Sequence, residues 1–203
     1  MKNASILLYG LVFLLISTFI VSGCTKVKEN NELIIQNDLK QQLITMAEIE
    51  VYSFENFPWS VNKQAVIDQL KNETIQSNET NRIIVASDLL SNSNMQQQVI
   101  YNFEEEQLIS GEYWFITTDD NQFNSLLETM NLLLSEHFPS PKSDNLEKLE
   151  HAIRSGASDV NIMWQGSDNS YFYVKIGTTE QNKKVLQIHI TSPRSEQNSL
   201  KKD

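Results

Sequence analysis

The sequence predicts an α+β fold in which helices pack on one face of an antiparallel sheet. Three observations carry that expectation. Apolar residues recur at the period of a half-buried strand in short segments separated by turn residues. Most of these segments fall into two runs of three, each run preceded by residues at helical spacing, and helices followed by strands favour α+β over a parallel layout. Connections within a run are short, and only antiparallel strands can be joined by a tight hairpin. No residue-level repeat accompanies this order, although the order itself hints at two helix-then-strands halves.

Residues 48–54 (EIEVYSF) read as a first strand, ended by Asn56 and Pro58. Trp59-Ser60-Val61-Asn62 leads into a helix (KQAVIDQLKN) whose Val66, Ile67 and Leu70 share one face, with Asn62 or Ser60 placed to cap its exposed amides. Strands follow over residues 82–86, 97–103 and 108–117, the last two flanking Glu104-Glu105-Glu106-Gln107 as a hairpin. The strongest helical pattern starts at Asp119 or Asp120. It carries Phe123, Leu126, Leu127, Met130, Leu133 and Leu134 in one wide stripe until Pro139 and Pro141 end it. A second helix begins at Asp144, with Glu147 three residues later as in a capping box, and stops at Gly156. Strands over residues 159–164, 171–176 and 185–191 close the domain as a meander.

The N-terminus carries a different signal. Lys2 is followed by an almost purely apolar run, Ile6 to Val21, the charged and greasy regions of a secretory leader. A spanning helix wants about 20 apolar residues, so an uncleaved anchor is the lesser alternative. Behind the run stands Val21-Ser22-Gly23-Cys24, which holds the only cysteine of the chain. This tetrapeptide resembles the bacterial lipobox. The resemblance implies that the thiol of Cys24 is joined to a diacylglycerol, that the leader is cut before Cys24 and that the new amine is acylated, palmitate being the usual acid. The competing reading is a chance cysteine at an ordinary signal-peptide end. A lone thiol in an oxidising compartment has no partner, which disfavours that reading and excludes a disulfide framework or a Cys-ligated zinc.

The expected organisation is a leader over residues 1–23, a lipidated Cys24 with a polar tether over 24–40, an α+β domain over 41–192 and a disordered tail over 193–203. Lys2 is the only charge in the leader, so residues 24–203 keep 15 of 16 basic and all 26 acidic side chains, 15 − 26 = −11. That balance argues against nucleic acid and against a body lying on anionic lipid. The expected location is the extracytoplasmic face of a cell membrane.

Phe57 to Val66 (FPWSVNKQAV) resembles a motif of small secreted or lipid-anchored bacterial proteins, a Trp-Gly pair, a Ser or Thr cap and then a helix. Tyr101-Asn102-Phe103, Leu108 and Tyr113-Trp114-Phe115 are similar to the strand pair that follows it. The match is to the β-lactamase-inhibitor-like and outer-membrane assembly lipoprotein families. It implies helices on a curved antiparallel sheet and the binding of other proteins. Ser60 replaces the glycine and Asn62 the Ser or Thr of the motif.

For chemistry, one constellation invites a test. Penicillin-recognising enzymes use S-x-x-K, S-D-N and K-T-G elements with a serine nucleophile. Here Ser60-Val61-Asn62-Lys63, Ser167-Asp168-Asn169 and Lys175-Ile176-Gly177-Thr178 approach that set, the third lacking its hydroxyl residue. The bland reading is a helix cap, a turn and a strand-end glycine. Glu104 to Glu106 lack the Asp-x-Asp spacing and glycine of a calcium loop, and His137, His151 and His189 form no zinc pair. No metal and no cofactor is expected. The remaining candidates are aromatic: Tyr113 and Phe115 alternate with Trp114, and Tyr171 and Tyr173 with Phe172. Alternation sends one set to the core and the other to the open face, where aromatics are good protein-contact anchors. The expectation is a non-enzymatic, lipid-anchored module that binds a protein or another component of the cell envelope through Tyr113, Phe115, Tyr171 and Tyr173. The alternatives are a serine enzyme built on Ser60, Lys63, Ser167 and Asp168, or a lipoprotein carrying a small ligand between helix and sheet. The oligomeric state stays open.

Overall fold

A computed structural model describes residues 33–71, 73–143, 146–155 and 160–193. The leader, Cys24, the start of the tether, Asp144 with its expected cap, Gly156 and the tail from residue 194 lie outside the described residues. The α+β architecture is as expected. A seven-stranded antiparallel sheet and a two-stranded ribbon are covered by helices.

The described chain enters through β1 (Ile34–Ile35), which pairs with the short β4 (Leu90–Ser91). Helix α1 (Asn37–Ile49) follows at once. It turns Leu39, Leu43, Met46 and Ala47 into the core at helical spacing. The tether therefore does not reach residue 40: Leu33, Ile35 and Leu39 are buried, and this apolar minority fastens an otherwise polar stretch to the domain. The strand expected over residues 48–54 is also replaced. Helix α1 takes its first residues and ends at Glu50, which adopts the left-handed conformation at φ 50°. Beyond it Tyr52 and Phe54 are wholly buried, yet the segment makes only an isolated bridge between Phe54 and Phe57.

Helix α2 (Lys63–Gln69) starts where expected, with the Asn62 side chain accepting a hydrogen bond from the Ala65 amide. The sheet then builds from β2 (Thr74–Glu79), β3 (Arg82–Ala86), β5 (Gln96–Glu104) and β6 (Gln107–Thr117). Helices α3 (Asp120–His137) and α4 (Glu147–Ser155) intervene, and β7 (Val160–Gln165), β8 (Tyr171–Thr178) and β9 (Lys184–Thr191) complete it. Asp119 caps α3 by accepting from the amides of Asn121 and Gln122. The strand order is β2-β3-β5-β6-β9-β8-β7. The last strands of the two halves, β6 and β9, therefore meet at the centre, which makes one sheet from two helix-then-strands units.

One face of this sheet forms the core. Tyr113, Phe115, Phe172, Val174, Leu186 and Ile188 project into a single apolar cluster with the inward stripes of α1, α3 and α4. Gly111 lies beneath Phe54, and a Cβ there would come within 2.0 Å of the ring. Ile100 and Val185 are buried too, yet they stand outside that cluster, on the opposite face of the sheet.

Candidate functional site

The face of the sheet turned away from the helices is organised around Glu112. Register places Ile84, Ile100, Glu112, His189, Tyr173 and Met163 in one row across β3, β5, β6, β9, β8 and β7. A parallel row carries Gln98, Trp114, Gln187, Lys175 and Asn161. Strand alternation alone brings these side chains to one surface.

Glu112 is only 6% exposed, an unfavourable setting for a carboxylate unless it is hydrogen-bonded. Its Oε1 accepts from Asn102 Nδ2 at 2.8 Å, and its Oε2 accepts from Trp114 Nε1 at 2.5 Å and Gln187 Nε2 at 2.7 Å. Arg82 Nε in turn donates to Asn102 Oδ1 at 3.0 Å. Burial alone would push the Glu112 carboxyl up, but the bonds from Trp114, Asn102 and Gln187, with His189 opposite, hold it below the usual range. Burial drives His189 the other way, down to about 4, so at neutral pH the imidazole is uncharged beside the carboxylate.

Aromatic rings continue from this polar centre. Tyr173 stacks on His189 with centroids 5.7 Å apart and on Tyr171 at 6.1 Å. Lys175 Nζ lies 5.0 Å above the Tyr173 ring. Beside Trp114 a groove of about 480 Å³ is lined by Lys175, Gln187, Val185 and Gly177. A Cβ on Gly177 would meet nothing within 4 Å, so its missing side chain leaves that depression open. The face thus offers a Trp held in place by its indole hydrogen bond, a stacked Tyr pair and a notch beside them. Such preorganised aromatics suit contact with a protein surface.

The structure divides the sequence-predicted residues. Tyr171 and Tyr173 lie on the open face, half-buried. Tyr113 and Phe115 do not: both are wholly buried on the helix side. Trp114, read as their inward neighbour, is the residue that faces out. The signal was present in the strand itself, because Ser110 and Glu112 share the Trp114 face, and a carboxylate is seldom turned into an apolar core.

The serine constellation is not brought together. Lys63 Nζ donates to the Glu79 carbonyl and, at 3.3 Å, to the Thr80 carbonyl in the β2–β3 turn. Val61, next to Ser60, accepts from the Leu108 amide at the start of β6, whereas Ser167 and Asp168 sit in the β7–β8 turn. There Ser167 donates through its amide (2.7 Å) and hydroxyl (3.2 Å) to the Glu50 carbonyl, and Asp168 accepts from Ser170 at 2.5 Å. These residues pin the exit of α1 to the sheet. Among the described residues, no three His, Cys, Asp or Glu side chains gather as a metal set. Compared with known proteins, the chain matches no protein-family model, no curated sequence and no solved structure.

Proposed function

We propose that this protein is a lipid-anchored binding module of the cell envelope that engages a partner protein through the open face of its sheet. Cys24 is the attachment point, joined to diacylglycerol after removal of residues 1–23, and the polar residues between Cys24 and Leu33 hold the domain close to the membrane. The observation that carries the reading is the Glu112-centred surface. It is a buried carboxylate whose hydrogen bonds orient Trp114, flanked by the stacked Tyr171 and Tyr173 and by the Gly177 notch. Indole, phenol and guanidinium groups are the side chains on which interface energy concentrates, and here they share one face.

Crosslinking of the full-length protein in cells, followed by mass spectrometry, tests this. A partner captured from the wild type, lost in Trp114→Ala and lost from the membrane fraction in Cys24→Ala, supports the assignment. Capture that is indifferent to Trp114→Ala, or membrane association that survives Cys24→Ala, contradicts it.

A further inference from the structure

Among the described residues only Ile34, Ile49, Ile75 and Leu132 are large, apolar and exposed. Two of the four meet. Ile34 on β1 and Leu132 on α3, 53% and 58% exposed, line one groove of about 240 Å³ beside the buried Leu33 and Leu133. We propose that this groove seats on the boundary between headgroups and acyl chains of the bilayer that holds Cys24, so that the domain is docked on the membrane as well as tied to it. The inference rests on the lipid-anchor reading of Cys24.

The core explains neither side chain. Strand alternation turns Leu33 and Ile35 inward and leaves Ile34 facing out, and Leu132 stands off the buried stripe of Met130, Leu133 and Leu134. The length of chain between the anchor and the groove says what covers them. Eight residues, 25–32, separate Cys24 from Leu33, and even fully extended the nine steps from Cys24 to Leu33 span at most about 32 Å. Ile34 is the next residue, so of the four exposed apolar side chains it stands nearest the anchor along the chain, and Leu132 lies beside it. Ile49 is differently placed: it follows Lys40, which lines the groove, by about two and a half turns of α1, and so faces the opposite side of that helix.

Charge is compatible with this contact. The excess of acidic side chains over residues 24–203 opposes approach to anionic lipid, but the groove itself is lined by Lys40 and Glu136, of opposite sign, and by His137. Lys40 can lay its methylenes along the apolar surface and hold its ammonium at the level of the phosphates. Two apolar contacts are too few to bind a free domain. With the anchor in place the contact becomes intramolecular, and a modest gain then suffices to seat the domain. The groove lies on the helix side of the sheet, so a domain seated on it keeps the open face clear of the lipid.

The test uses full-length protein purified from membranes, with the lipid on Cys24 read by mass spectrometry, in vesicles of phosphatidylcholine carrying brominated acyl chains. Bromine quenches an indole only at close range, and the wild type, with Trp59, Trp114 and Trp164, sets the baseline. In Leu132→Trp the emission should shift to the blue and be quenched beyond that baseline. In Ile49→Trp, a site 57% exposed, quenching should stay at the baseline. Adding Ile34→Asn to Leu132→Trp should remove most of the extra quenching, because half of the apolar contact is lost. All three positions are exposed, so the substitutions leave the fold intact. Lipidated protein in which Leu132→Trp is quenched no more than the baseline, or in which Ile49→Trp is quenched equally, overturns the docking and leaves the anchor standing. Protein whose Cys24 carries no lipid overturns the anchor and the docking together.

Discussion

Single side chains at the sheet centre carry opposite constraints. Gly111 is required by packing, since any Cβ would overlap the Phe54 ring. Gly111→Ala should destabilise the fold by about 1–3 kcal/mol in urea unfolding, the usual cost of overpacking a filled core. Gly177 is not required by packing, and a strand glycine weakens its strand. Gly177→Val should therefore leave stability unchanged or raise it by up to about 1 kcal/mol. The same change fills the notch beside Trp114 and should abolish partner capture. His189 makes a pH prediction. With its imidazole moved from 6.5 to about 4, the folded state binds fewer protons than the unfolded chain between those values. Its contribution is intact above about pH 6.5 and is lost as pH falls towards 4. Glu112, held low, adds loss of the same sign at still lower pH. In His189→Gln the decline in stability between pH 6.5 and 4 should be shallower than in the wild type. An unchanged slope would mean that burial does not depress this imidazole.

At the scale of elements, legibility followed how strongly each segment's pattern reports its burial. Helix α3 was plain, because its stripe from Phe123 to Leu134 is unbroken and Asp119 caps it. The β5–β6 hairpin and the closing meander were plain too, because buried apolar residues recur at every second position along their strands. Helix α1 was hidden: its buried residues sit in polar sequence continuous with the tether, and no side chain caps its start at Gln36. β2 was missed because it is an exposed edge strand (TIQSNE) with a bulge between Ile75 and Ser77, and an edge needs no apolar face. For β6 the alternation was clear but its sense was misread, so Tyr113 and Phe115 were assigned to the surface. The open-face site was thus half legible: Tyr171 and Tyr173 could be named, whereas Glu112 and His189 gain meaning only once β6 and β9 are known to pair. The β5–β6 turn offers an element-scale test. Glu105 and Glu106 both sit in the left-handed region, at φ 49° and 65°, where Asn-Gly is preferred. Replacing the pair by Asn-Gly should stabilise the domain by about 1 kcal/mol, read as an upward shift in the thermal midpoint.

At the scale of the whole molecule, the β6–β9 seam joins two helix-then-strands halves into one sheet, with all the core on one side. That asymmetry leaves the opposite face of the sheet, with Glu112 near its centre, outside the apolar cluster. The claim that the open face is the working surface is tested most directly by site-resolved photo-crosslinking in cells. A photo-reactive phenylalanine analogue would replace Tyr173 on the open face or, as a control, Leu132, which is 58% exposed on α3. The account predicts a discrete crosslinked partner from position 173, dependent on Cys24, and none from position 132. A partner captured from position 132 alone, or from neither position, would contradict it.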